Sequence, residues 1–174
     1  LVQPDSRIVV GGTFTAFNQV PRRNLARLEP NGTLDASFLA NPTDGADNTV
    51  YALAQHVDGK LVVAGDFNTF NGVTRNRLTR LLTSGTNDAT INFGTGANSF
   101  VAAVAIQSDQ KIVIGGGFTT YNGQPRKRLA RIYGGSIMGP GNIEFSASAF
   151  SASEASMHTV ITLRRVGGTT GAVA

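Results

Sequence analysis

Short runs of apolar and β-branched residues alternate with polar turns along the first 133 residues. Each run is four to eight residues long and is bounded by Gly, Asp or Asn, which predicts β-strands rather than helices. Four of these runs are VYALAQ (50–55), LVVAG (61–65), FVAAVAIQ (100–107) and IVIGG (112–116). Within each pair of runs an Asp-containing turn joins the first to the second, as at Asp58-Gly59, so each pair predicts an antiparallel hairpin.

A third strand is predicted in each unit after a loop that contains Asn71-Gly72 or Asn122-Gly123. The three copies of this strand are NLARLE (24–29), RLTRLL (77–82) and RLARIY (128–133). Further turn pairs, Asn31-Gly32 and Ser84-Gly85, predict a fourth strand. Three or four antiparallel strands per unit are typical of a β-propeller blade.

The run VYALA is apolar on both of its faces, because Tyr51 and Leu53 alternate with Val50, Ala52 and Ala54. A strand of this kind is expected to be covered on both sides, whereas a sheet with one wet face would alternate apolar and polar residues. Blades packed around an axis provide such cover. A β-helix or a sandwich accounts less economically for a unit of this length.

The whole pattern occurs three times, with starts at Arg7, Lys60 and Lys111 and spacings of 53 and 51 residues. RIVVGGTF, KLVVAGDF and KIVIGGGF align without gaps, and the units begin near residues 1, 48 and 98. The repeated positions include Gly12, Gly65 and Gly116; Phe14, Phe67 and Phe118; Arg27, Arg80 and Arg131; and Asp5, Asp58 and Asp109. Each copy is therefore expected to be one supersecondary unit stacked on its neighbours.

The segment DGKLVVAGDFNTFNGVTRNRLTRL (58–81), with TVYALAQ upstream and DASF (35–38) in the first copy, resembles the delta-60 repeat. This is a bacterial β-propeller repeat of large secreted or surface proteins, and the resemblance covers about residues 1–133. It implies a scaffold architecture and an extracellular or cell-surface location. The family brings no catalytic residues to transfer.

The pattern changes after residue 133. Residues 134–141 (GGSIMGPG) have the Gly and Pro content of a linker. Residues 142–174 resemble the opening of a Calx-beta domain, an immunoglobulin-like β-sandwich, in an I-x-F strand, a downstream Glu154 and a V-x-L-x-R strand before Gly167-Gly168. A sandwich of this kind needs about 100 residues, so only its first strands are expected here.

Residue 1 aligns with Ala54 and Ala105, at the end of the predicted first strand, so the first copy is expected to lack most of that strand. Propellers generally contain four or more blades. The chain is therefore expected to be a segment of a longer polypeptide. Alternatively, other copies of the chain complete its blades by β-augmentation.

Composition excludes several other classes of protein. The 174 residues contain no Cys, which excludes disulfides and Cys-based zinc sites, and no apolar run approaches the roughly 20 residues that span a bilayer. The formal net charge is +4, and ten of the fifteen Lys and Arg residues fall in PRRNLAR (21–27), TRNRLTR (74–80) and PRKRLAR (125–131). Such basic runs are compatible with a polyanionic partner.

For Arg27, Arg80 and Arg131 a structural role is favoured over ligand binding, because each shares a strand face with a repeated Leu. Backbone carbonyls or the repeated Asp5, Asp58 and Asp109 are the expected partners of these guanidinium groups. Four other basic residues are candidates for polyanion binding, with solvated surface charge as the alternative: Arg23, Arg77, Lys127 and Arg128. No aromatic ladder accompanies them, which argues against single-stranded nucleic acid.

Catalytic constellations are not evident, so no enzymatic activity is expected. His56 is expected in an exposed turn and His158 on a strand, without metal-ligand spacing. The Calx-beta resemblance implies calcium as the one possible cofactor, with Glu154 as a candidate ligand, although a surface carboxylate is favoured for this residue. Asp44 and Asp47 are a second candidate pair, or an ordinary Asx-rich loop.

The sequence thus predicts an all-β chain of three propeller blades followed by the first strands of a sandwich. We expect a non-enzymatic structural or adhesive segment of a large modular bacterial surface protein, a scaffold or assembly module. Other copies or the remaining segments of the polypeptide are its expected partners, with no specific nucleic acid and no membrane insertion. The alternative function is a module that binds an anionic surface glycan or another polyanion through its repeated basic loops.

Overall fold

The structure is a computed structural model that describes residues 1–91 and 93–133, together with the backbone of two strands at 142–145 and 163–166. The chain divides into two compact units, Leu1–Gly134 and Gly135–Ala174. All regular elements among the described residues are β-strands. The prediction of an all-β chain is confirmed.

Each sequence repeat forms one main antiparallel sheet and one small two-stranded hairpin in the first unit. The first blade contains β1 (Ile8–Gly11), β2 (Ala16–Phe17), β3 (Val20–Pro21) and β4 (Leu25–Leu28). The second contains β5 (Val50–Gln55), β6 (Leu61–Gly65), β7 (Thr69–Phe70), β8 (Val73–Thr74) and β9 (Leu78–Leu81). The third contains β10 (Val101–Ile106), β11 (Ile112–Gly116), β12 (Thr120–Tyr121), β13 (Gln124–Pro125) and β14 (Leu129–Ile132).

The main sheets have the order β5-β6-β9 and β10-β11-β14, whereas the first blade pairs β1 with β4. In place of a full first strand, the first blade has one bridge between Val2 and Ile8. The predicted fourth strand is reduced to single bridges, Leu28 with Leu34 and Leu81 with Asn87. The three main strands of each complete blade are therefore those that the hydrophobic runs predicted.

Small hairpins occupy the loops that were predicted between the second and third strands. They pair β2 with β3, β7 with β8 and β12 with β13. In each hairpin the turn begins with an Asn at positive φ, namely Asn18 at 46°, Asn71 at 49° and Asn122 at 48°. Asn tolerates this left-handed conformation, which tight two-residue hairpin turns require.

The hydrophobic core lies between successive blades. One cluster joins Leu25 and Phe38 of the first blade to Leu61, Val63 and Phe67 of the second. The other cluster repeats this arrangement between the second and third blades, with Leu78 and Ile91 against Ile112, Ile114 and Phe118. The second blade therefore buries its apolar faces against both of its neighbours.

Strand β6 is covered on both faces, because all five of its residues are buried, whereas β5 is not. The expectation for VYALA was wrong in this respect, because Tyr51 is 52% exposed. The physical reason is position within the sheet. Strand β6 is central, and the outer edge of β9 is covered by Asp88, whose backbone N–H donates to the Arg80 carbonyl oxygen, whereas no further strand pairs with β5 among the described residues.

In the second unit, β15 (Asn142–Phe145) pairs antiparallel with β16 (Leu163–Val166), and Phe145 lies opposite Leu163. The predicted linker (134–141) and the other features of the predicted sandwich lie outside the described residues. Within the described part of the chain, no helix has the length and hydrophobicity needed to cross a membrane.

Candidate functional site

The repeated glycines permit close contact between the first two strands of a blade. A Cβ atom on Gly65 would lie 2.1 Å from the Thr49 carbonyl oxygen, and one on Gly116 would lie 2.2 Å from that of Phe100. The adjacent Phe67 and Phe118 side chains are fully buried. Gly12 has no equivalent backbone contact, and Phe14 is only half-buried, because the first blade lacks most of that strand.

Arg27 lies in a polar cluster between the first and second blades. Its Nε donates to Asp35 Oδ2 at 2.7 Å, and its Nη1 donates to the Thr83 carbonyl oxygen of the next blade at 2.6 Å. The guanidinium carbon lies 4.4 Å from the ring centroid of Phe38. The side chain thus joins two blades through hydrogen bonds and a cation–π contact.

Arg80 occupies the same place in the second blade. Its Nε and Nη2 both lie 2.8 Å from Asp88 Oδ2, and the two side chains are 0% and 1% exposed. Burial opposes ionisation of Asp88, but hydrogen bonds from Thr90 and the charge of Arg80 outweigh it and lower the pKa to about 2. Lys60 Nζ approaches the same carboxylate at 3.6 Å.

Of the predicted partners, a backbone carbonyl is found for Arg27, at Thr83, but the predicted aspartates were wrong in the first two blades. Asp5 contacts Arg7, and Asp58 contacts Lys60, in each case two residues along the same turn. The aspartates that bind Arg27 and Arg80 instead follow them by eight residues. This equal separation, repeated at the 53-residue spacing, is the sequence signal that could have identified them.

Arg131 is exposed and forms no ion pair within 4.0 Å among the described residues. The position eight residues further on is Gly139, so the acidic residue of the other two copies is missing. Asp109 has a lowered pKa because Lys111 donates hydrogen bonds to it, with a smaller contribution from the charge of Arg131. In the described part of the chain, the third blade thus keeps the two cations of the cluster, Lys111 and Arg131, without a buried carboxylate.

The four predicted polyanion-binding residues lie in different environments. Arg23, Lys127 and Arg128 are exposed, whereas Arg77 is half-buried. Arg77 Nε lies 3.1 Å from Asp66 Oδ1, and its Nη1 contacts Asn68 Oδ1. Its charge is therefore already paired, and the exposed basic residues are concentrated on the third blade beside Arg126.

The prediction that His56 is an exposed turn residue was wrong, because it is only 4% exposed. It lies between the second and third blades, where Nδ1 is 3.1 Å from Gln110 Oε1. Its Nε2 is buried without a hydrogen-bond partner among the described residues. Burial lowers the pKa of His56, the hydrogen bond to Gln110 raises it, and the charge of Arg80 lowers it further. His158 lies outside the described residues.

The acidic candidates do not form a metal site in the described part of the chain, where no group of three potential ligands occurs. Asp47 Oδ1 accepts hydrogen bonds from the backbone N–H groups of Asn68 and Thr69. Asp44 Oδ2 accepts hydrogen bonds from the backbone and side chain of Asn41. These contacts are typical of Asx-rich loops. Glu154 lies outside the described residues.

Two open clefts lie on the first unit. One, of about 340 Å³, is bordered mainly by aliphatic residues between the first two blades, including Val10, Val50 and Leu53. The other, of about 310 Å³, is bordered by amide and hydroxyl groups between the second and third blades, including Asn68, Asn98 and Thr120. Neither set of lining residues contains a His or a carboxylate that could act as a general base.

Comparison with known proteins assigns the repeats to a family. No curated protein matches the chain. A family model described as a domain of unknown function (DUF5122) with a β-propeller fold matches residues 3–38, 58–90 and 107–132, which together make up more than half of the chain. The three matched segments fall within the three blades. This chain therefore belongs to the DUF5122 β-propeller family.

Proposed function

We propose that the chain is a non-enzymatic scaffold or assembly module of a large modular bacterial surface protein, with a structural or adhesive role. In this proposal the repeats are of the delta-60 type and the second unit begins a Calx-beta domain. Other copies of the chain, or other segments of the same polypeptide, pack against its outer blades.

The observation that carries the proposal is the difference between inner and outer blade faces. Leu25 and Leu78 are 0% and 1% exposed because the next blade covers them, whereas Leu129 at the same repeat position is 64% exposed. On the opposite side, Phe14 is half-buried, although its equivalents Phe67 and Phe118 are fully buried. Apolar faces that are half-covered at both ends favour association with further blades.

Sedimentation velocity of the purified chain at increasing concentration tests the assembly role. We expect species larger than the 18.2 kDa monomer to accumulate as concentration rises. A monomer at every concentration across the micromolar range would contradict assembly between copies. Protease shaving of intact bacteria that produce the tagged parent protein tests the surface location, and loss of the tag is the expected result.

The exposed basic run of the third blade favours a second candidate function, which is binding to an anionic glycan. Arg126, Lys127 and Arg128 are consecutive and exposed, and none forms an ion pair among the described residues. We expect salt-dependent retention on heparin resin that decreases when Lys127 and Arg128 are replaced by Ala. Absence of retention at low salt would rule out this second function.

A further inference from the structure

A short segment closes the outer edge of each of the first two blades. We call LDASF (34–38) and NDATI (87–91) the edge segments. The backbone N–H of Asp35 donates to the Arg27 carbonyl oxygen at 2.9 Å, and Asp88 donates to Arg80 at the same distance. The two segments therefore add backbone hydrogen bonds to β4 and β9 in the same register.

The side chains of the edge segments make matching contacts. In each segment the Asp binds the repeated Arg and also accepts hydrogen bonds from the amide and hydroxyl of the Ser or Thr two residues later. The residue after that, Phe38 or Ile91, is buried in the cluster that contains Leu25 or Leu78. The pattern is Asp, any residue, Ser or Thr, and then a large apolar residue.

The third blade has the surface that these segments contact, but the sequence after Tyr133 lacks the pattern. Residues 134–141 read GGSIMGPG, and no acidic residue occurs there. Among the described residues, no backbone N–H donates to the Arg131 carbonyl oxygen, and Leu129 remains 64% exposed. In the part of the chain that the structure describes, the outer edge of β14 therefore lacks the segment that covers the equivalent edges of β4 and β9.

We propose that the open edge of β14 binds an extended segment with the Asp-x-Ser/Thr-Phe/Ile pattern, supplied from outside residues 1–133. The inference rests on the proposed assembly function, because another blade repeat is the natural source of such a segment. The bound segment adds to the sheet by β-augmentation. Arg131 pairs with its carboxylate, and Leu129 packs against its apolar residue.

The positive charge of Arg131 favours an incoming segment that carries a carboxylate over a purely apolar segment. Covering Arg131 without an acceptor would bury an unpaired guanidinium, which is costly. A carboxylate from the incoming segment would instead reproduce the contact between Arg27 and Asp35. Lys111 can approach that carboxylate as Lys60 approaches Asp88, at 3.6 Å.

Fluorescence polarisation with a labelled peptide of residues 33–40 (TLDASFLA) tests the proposal on the full chain. We expect saturable binding, and we expect affinity to fall at least about tenfold when the Asp of the peptide is replaced by Asn, because a charge-assisted hydrogen bond is lost. Replacement of its Phe by Ala should also weaken binding. Absence of saturable binding, or equal affinity for the Asn peptide, would overturn the proposal.

A matched pair of protein variants locates the contact. Arg131→Ala should weaken binding of the original peptide but cause no additional loss with the Asn peptide, which is the result expected for two groups in direct contact. Arg126→Ala is the control, because Arg126 is also exposed on the third blade and its guanidinium bonds to the Pro125 carbonyl oxygen. An equal effect of both variants would indicate non-specific charge attraction and contradict the proposal.

The sedimentation experiment separates this inference from the proposed function. If the chain assembles but the peptide neither binds nor competes with assembly, the specific edge contact is wrong and the scaffold role stands. If the peptide binds but no assembly is seen between copies, the edge contact stands and the source of the segment is a different polypeptide.

Discussion

Arg80 illustrates at the scale of a residue how a repeated position becomes part of the core. Its guanidinium and the carboxylate of Asp88 are almost completely removed from solvent. Replacement by Met preserves much of the side-chain volume but removes the two guanidinium contacts of the buried Asp88 carboxylate and leaves Lys60, at 3.6 Å, as its nearest cation. We expect Arg80→Met to lower the free energy of unfolding by about 3–5 kcal/mol, measured by urea denaturation followed by circular dichroism.

Arg131→Met is the matched control for that measurement. The residue has the same place in its repeat but is exposed, so its replacement should change stability by no more than about 0.5 kcal/mol. Equal losses for the two variants would mean that the arginine contributes through the strand itself. Such a result would contradict the importance of the buried ion pair.

Asp88 also predicts how stability depends on acid. Its pKa of about 2 in the folded chain lies below the ordinary value of 3.8, so the folded state favours the ionised form. This contribution is present above about pH 4 and is lost as the pH falls towards 2. The difference corresponds to about 2 kcal/mol of unfolding free energy.

The acid dependence can be checked by urea denaturation at several pH values between 5 and 2. Asp88→Asn should be less stable than the original chain at pH 5, and its stability should decrease less between pH 4 and pH 2. A decrease of the same size in both proteins would assign the acid sensitivity to other carboxylates, such as Asp35, whose pKa is also lowered.

At the scale of single residues, the sequence predicted which residues are structurally important better than it predicted which residues they contact. The repeat spacing made Gly65, Phe67 and Arg80 recognisable as structural, because close packing between blades imposes the same residue type in each copy. It did not pair Arg80 with Asp88, since Asp58 recurs in all three copies, whereas Asp88 has an equivalent only in the first copy. Burial of His56 was missed for a related reason. A turn residue is buried only when the next blade packs over it.

The turn after β5 places a titratable side chain, His56, at the interface between the second and third blades. His56 contacts Gln110 of the third blade, and the charged groups that act on its ring are Arg80, Asp58 and Lys60. Burial lowers its pKa below the ordinary 6.5 and favours the neutral ring in the folded state. Below about pH 6.5 the unfolded chain binds the proton more readily, so stability is expected to fall.

We expect His56→Gln to remove this decrease in stability between pH 6.5 and 5, as measured by urea denaturation. Gln is a suitable replacement because the first and third copies have Gln3 and Gln107 at this position. His158→Gln is the control, since the chain contains only these two histidines. If the slope persists in His56→Gln and disappears in His158→Gln, the blade interface is not the acid-sensitive element.

Elements with continuous apolar runs were predicted closely, because their composition alone favours strands. The boundaries of β5 and β6 coincide with VYALAQ and LVVAG. The sequence predicts a loop where the two-residue strands β7 and β8 form, since four residues around Asn71-Gly72 are too few to produce an alternating pattern. The fourth strand was overestimated, because Asn87 forms only a single bridge to Leu81.

At the scale of the whole molecule, burial depends on the neighbouring blade rather than on the residue. Strand β9 and strand β14 have nearly the same sequence, LTRL and LARI, yet all four residues of β9 are buried and only Ala130 of β14 is. The sequence could predict that these faces seek partners. It could not predict which face remains open, because this depends on the segment that follows each strand.

The comparison of β9 with β14 predicts that Leu78 contributes to the stability of the monomer, whereas Leu129 contributes to assembly. Two leucine substitutions can separate these effects. Leu78→Ala removes a fully buried side chain between blades and should lower the free energy of unfolding by about 2–5 kcal/mol. Leu129→Ala removes an equivalent but exposed side chain, so the stability of the monomer should change by less than about 0.5 kcal/mol.

In sedimentation velocity, however, Leu129→Ala should shift the chain towards monomer, because it removes apolar surface from the face that receives the next blade. Retention of full assembly in Leu129→Ala would exclude this face as the contact between copies, whereas a large loss of stability would show that the third blade is already packed against other residues of the chain.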